Sequence, residues 1–110
     1  MGTKTYHKLV RDRIPEIIAS TGDKYKIRTL SDAEYIEMLD EKLNEELKEY
    51  HEDKNIEELA DILEVLYAVA KARGYSKEEL EETRLKKQKE RGGFEEKIFL
   101  IETIRDQQEV

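Results

Sequence analysis

The chain has 110 residues, no cysteine, and 27 acidic against 20 basic side chains, for a formal net charge of −7. That length suits one small domain; the lack of thiols excludes a disulfide framework and thiolate chemistry and makes a reducing cytoplasm the expected compartment; and the acidic balance argues against a nucleic-acid binder. No apolar run is long enough for a membrane span or a signal-peptide core.

Residues 1–13 read as extended or irregular. Within "YHKLVRDRIPEII" (Tyr6–Ile18), Lys8, Arg11, Asp12 and Arg13 crowd together just ahead of Pro15, the only proline. Proline suits the first turn of a helix, so a short helix over "PEIIAST" is expected, stopping near Gly22. "KYKIRTL" (24–30) alternates polar and apolar residues, as an extended segment or short strand does. Ser31 opens "SDAE", a capping-box pattern with Glu34. The helix behind it should reach about Glu52, roughly 30 Å at the helical rise. Asn55 in "NIEE" repeats the signature and predicts a helix from Ile56 to about Arg73, ended by a left-handed cap at Gly74. Ser76 in "SKEE" starts a fourth helix, running to about Arg91 before Gly92-Gly93. "FEEKIFLIETI" (94–104) carries apolar Phe94, Ile98, Leu100 and Ile101 and is expected to pack back on the bundle.

Two long helices joined by a short turn should lie antiparallel. The expected fold is all-α: an antiparallel helical bundle, a single domain over 1–110, with an irregular N-terminal arm. Hydrophobic residues make up 37% and charged residues 43%. That is too apolar and too regular for a disordered acidic chain but thin for a core, so pairing with a second copy is expected.

On a helical wheel the second helix has one apolar arc: Tyr35, Ile36, Leu39, Leu43, Leu47 and Tyr50. Glu46 falls inside it and Glu49 at its edge. The third helix places Ile56, Leu59, Ile62, Leu63, Leu66, Val69 and Ala70 in its arc, with Glu58 at the margin and Asp61 one step further. Two antiparallel helices therefore aim four carboxylates at their seam. Such a group is tolerated through raised pKa values or a bound cation, and an all-oxygen set favours Mg²⁺ or Mn²⁺. With 20 glutamates in the chain, pairs three apart also arise by chance; "EELEE" (78–82) reads as a solvated face. A ferritin-like di-iron site needs Glu-x-x-His motifs, but His7 and His51 each follow a lysine by three and read as solvent-facing.

"EELKE" (Glu45–Glu49) followed by "ELAD" (Glu58–Asp61) resembles the E-E-x-x-E…E-x-x-D pattern of the MazG-like all-α nucleoside triphosphate pyrophosphohydrolases, a superfamily that includes phosphoribosyl-ATP pyrophosphohydrolase. "YHKLVRDRIPEII" and "LADILEVLYAVAKARGYSKEELEETRLKKQKERGGF", in that order, are similar to a small stand-alone subgroup, so the resemblance covers roughly residues 6–100. It implies Mg²⁺ held by Glu46, Glu49, Glu58 and Asp61, and hydrolysis of a nucleoside triphosphate to a monophosphate and pyrophosphate. Glu45 would orient the attacking water. The basic set Arg84, Lys87 and Arg91 resembles the family's phosphate-side positions; a solvated helix end is its plainer reading. Lys8, Arg11 and Arg13 suit phosphate oxygens, or Arg11 and Asp12 simply lock the arm by salt bridges. Only eight residues separate Glu49 from Glu58, fewer than in many relatives of this type. A phosphoribosyl-ATP-type substrate, or a non-enzymatic helical regulator that binds a nucleotide or protein, are the rival readings.

Overall fold

The computed structural model describes residues 2–106. Four helices follow in order: α1 (Ile14–Ser20), α2 (Asp32–Asp53), α3 (Ile56–Ala72) and α4 (Lys77–Arg91). Among the described residues there is no strand, and no helix is long and apolar enough to cross a membrane. The fold is all-α.

Local chemistry sets the helix starts. Ser31 Oγ accepts the Glu34 amide at 3.3 Å, and Glu34 reaches back to the Ser31 amide at 3.4 Å, which satisfies two of the donors that a helix N-terminus leaves free. Arg28 grips the same carboxylate at 2.8 Å. That bond, with the Ser31 amide behind it, lowers the Glu34 pKa to about 2. Ser76 and Glu79 repeat the reciprocal box at α4. At α3 only half of it forms. Asn55 Oδ1 accepts the Glu58 amide at 3.0 Å, while the Glu58 carboxylate joins the acidic group between α2 and α3.

The helix ends rely on left-handed residues. Gly74 has φ +93°, as expected. Lys54 closes α2 at φ 51° and ψ 35°, a region where Cβ meets the following carbonyl and costs about 1 kcal/mol or more. Lys54→Gly is therefore expected to stabilise the fold by roughly 0.5–1 kcal/mol, read as a rise of several degrees in Tm.

α2 and α3 form the packed pair, joined by a two-residue turn. α4 meets only α3, sparsely, and α1 packs against no other helix. Leu39, Val65 and Ala70 are the buried apolar residues. Here the structure corrects the wheel. Helical spacing puts Ile56, Leu59, Leu63 and Leu66 in the buried arc of α3, yet they are 79, 50, 46 and 37% exposed. α3 is apolar over more of its circumference than one neighbouring helix can cover. The strip facing α2 is the one that carries Val65 and the half-buried Glu58, Asp61, Ile62 and Val69.

One further expectation is narrowed and another is corrected. Residues 24–30 form no strand; with no second strand among the described residues, their amides have no ladder to join. The segment 94–104 does not pack back on the bundle: Phe94, Ile98, Leu100 and Ile101 are 72–98% exposed.

Candidate metal centre

Glu46 and Glu49 sit three apart on α2, and Glu58 and Asp61 three apart on α3. That spacing puts each pair on one helix face, and the tight Lys54-Asn55 turn holds the faces together. Each of the four carboxylates offers an oxygen within 4.8 Å of the others. Glu46 is the deepest, 5% exposed. Its Oε2, and Oε2 of Glu58, are buried without a hydrogen-bond partner.

The electrostatics match this crowding. Burial raises the Glu46 pKa, and repulsion from Glu49 adds to it, against the pull of Lys42. Burial also raises Glu58, helped by the charges of Asp61, Asp53 and Glu46. Both groups are thus disfavoured as bare anions.

Cations ring the cluster. Lys42 Nζ lies 3.2 Å from Glu46 and 3.3 Å from Glu45, with only 16% of its side chain exposed. Lys8 of the N-terminal arm bonds Glu45 at 3.0 Å, and Arg11 bonds Asp61 at 2.6 Å. Burial pushes the Glu45 carboxyl up, but Lys8 and Lys42 outweigh it and leave it below its ordinary value. Lys8 is raised in turn, chiefly by its bond to Glu45. A cavity of about 140 Å³ lies between the arm and α2, lined by Lys8, Leu9, Met38, Glu41, Lys42 and Glu45.

Lys8 and Arg11 tie the arm to α2 and α3 through Glu45 and Asp61, whereas Asp12, the other residue expected to lock the arm, forms no salt bridge among the described residues. Arg13 bonds Glu16 at 2.9 Å, within its own turn. Arg84 pairs with Glu81, and the whole of α4, with Lys87 and Arg91, is exposed. No α2–α4 packing brings that basic face to the carboxylates of the same chain. His7 and His51 are exposed. Lys42 is the residue sequence reasoning passed over. Its signal was present: a lysine three and four residues ahead of Glu45 and Glu46, able to bury its stem while its ammonium reaches both. A larger groove of about 680 Å³, at the α3–α4 turn around Tyr67 and Tyr75, includes none of the four clustered carboxylates.

No family model and no solved structure matches the chain. A protein of Mycolicibacterium smegmatis (strain ATCC 700084 / mc(2)155), described as uncharacterized, is 60% identical over 42 residues; the match covers 38% of this chain and 43% of that protein, less than half of its length.

Proposed function

We propose that the chain is a Mg²⁺-dependent pyrophosphohydrolase that cleaves a nucleoside triphosphate to a monophosphate and pyrophosphate. The observation that carries this reading is the pair of orphaned carboxylate oxygens, Glu46 Oε2 and Glu58 Oε2, buried inside a four-carboxylate group. A buried anionic oxygen with no donor costs several kcal/mol, so the arrangement suits a cation that accepts oxygen ligands only. Glu46, Glu49, Glu58 and Asp61 would hold it, with Mn²⁺ as an alternative ion. Bound there, Mg²⁺ supplies charge for the triphosphate oxygens and acidifies a water.

The chain's own residues divide the remaining work. Lys42 fixes Glu45 and Glu46 by its two ion pairs. Glu45, held as an anion by Lys8 and Lys42, is the group available to orient a water and take its proton. Lys8 and Arg11 now neutralise Glu45 and Asp61. With a divalent ion among the carboxylates, these two cations are free to turn to phosphate oxygens, a pairing guanidinium geometry favours.

The test is pyrophosphate release from a panel of standard and damaged nucleoside triphosphates and from phosphoribosyl-ATP, with and without Mg²⁺. Mg²⁺-dependent release from one of the triphosphates is the expected result. Release from phosphoribosyl-ATP alone moves the substrate to that class. Tight Mg²⁺ and nucleotide binding with no release anywhere makes the chain a binding protein.

A further inference from the structure

We propose that residues 92–104 are an exchange arm: in a homodimer they lie along the outer, apolar face of α3 of the second copy. The surface area comes first. The chain exposes 10891 Å², whereas a compact monomer of 13.0 kDa exposes about 6,300 Å². Its radius of gyration is 20.5 Å, with extents of 77 × 31 × 24 Å, against about 13 Å for a compact chain of this length. A stable dimer buries about 1,600 Å² in total. The surplus is several times that, and the chain carries both halves of a contact able to bury it.

One half is the stripe Ile56, Leu59, Leu63 and Leu66, spaced three and four apart along the side of α3 that turns away from α2. It runs about 15 Å at the helical rise. The other half is Ile98–Ile104, which is uncharged over Ile98–Ile101 and 72–87% exposed at its five apolar positions. Extended, those seven residues span about 20 Å. The two match in length and in chemistry, and an apolar face of this size left in water marks a contact surface.

The chain does not close this contact on itself. α4 separates the halves as a rigid spacer about 22 Å long. Its only apolar residues are Leu80 and Leu85, 36 and 48% exposed, so it has no stripe to hold it down along α3. Gly92, at φ 84° and ψ 177°, then turns the chain off the helix end. The arm leaves its own hairpin, and the α3 face of a second copy is the surface that fits it.

The absence of cysteine makes the test clean. Leu63→Cys and Phe99→Cys are made in separate chains, mixed, allowed to exchange and oxidised. A disulfide-linked species of twice the chain mass, containing one of each variant and reversed by reductant, is expected. A double variant should link between copies; if it closes within one chain, the arm packs in cis and the proposal fails. No linkage in the mixture also overturns it. As a second measurement, Phe99→Asp with Ile101→Asp should shift light scattering from dimer to monomer while helix content persists. A doubly substituted chain that stays dimeric, or a parent that is monomeric at micromolar concentration, overturns the arm. None of these readouts uses pyrophosphate release, so their failure leaves the proposed activity untouched.

Discussion

Asp61→Asn is expected to abolish Mg²⁺-dependent pyrophosphate release while leaving the metal-free fold as stable as the parent to within about 1 kcal/mol. The small stability effect follows from exposure. Asp61 and Arg11 pair at 2.6 Å, but their side chains are 37 and 56% exposed, and pairs of that kind contribute about 0–1 kcal/mol. Losing the pair is offset by removing one of four crowded charges. The large effect falls on the site. An amide keeps the shape and withdraws one anionic oxygen. Loss of even an outer partner costs a metal site about 10–100-fold in affinity, so loss of a ligand should cost at least the upper end. Mg²⁺ titration by calorimetry and melting curves with and without Mg²⁺ give the comparison. At 100 times its Kd, Mg²⁺ should stabilise the parent by about 2.7 kcal/mol, and the variant by little. A variant that retains parental turnover or parental Mg²⁺ affinity removes Asp61 from the ligand set.

Glu46→Gln is expected to raise the stability of the metal-free protein at neutral pH, read as a higher Tm, and to remove its stabilisation by Mg²⁺. Two effects oppose each other at Glu46. Lys42 at 3.2 Å favours the anion; burial and Glu49 disfavour it, and the net shift is upward. The charged form is therefore destabilising on balance, and an isosteric neutral amide relieves it. Lys42 keeps Glu45 as its partner. The pH dependence has a definite sign. A carboxyl whose folded pKa is raised binds its proton more tightly when folded, so it costs nothing below the ordinary carboxyl pKa. Its cost grows as pH rises from there through the raised folded value, then levels off. Metal-free parent protein should lose stability across that window, and Glu46→Gln should lose less, with Glu58 supplying what remains. Glu34 works in the opposite direction. Its pKa of about 2 gives stability above the ordinary carboxyl value that disappears as pH falls towards 2. Chemical denaturation between pH 2 and pH 8 in chelator checks both; a pH-independent parent, or a destabilised Glu46→Gln, contradicts the assignment of Glu46 as a crowded anion.

Features that depend on neighbours a few residues away are legible in the amino-acid order. Ser31, Asn55 and Ser76 cap their helices because a side chain reaches an amide three residues on. Gly74 ends α3 because it alone accepts that backbone geometry cheaply. Glu46 with Glu49, and Glu58 with Asp61, share helix faces because three residues make nearly one turn, and a two-residue turn leaves α2 and α3 little choice but to lie side by side. Tertiary structure decided what depends on competition between distant surfaces. α3 has more apolar circumference than α2 can cover, so sequence periodicity could not say which strip would be buried; packing chose Val65 and the carboxylates and left Leu59 and Leu63 bare. Lys8 and Arg11 found Glu45 and Asp61 across 37 and 50 residues, partners that no local spacing encodes. The segment 94–104 is apolar enough to bury itself, but a polar α4 gives it nothing to fold back along, so where it goes is a question of the surfaces within its reach.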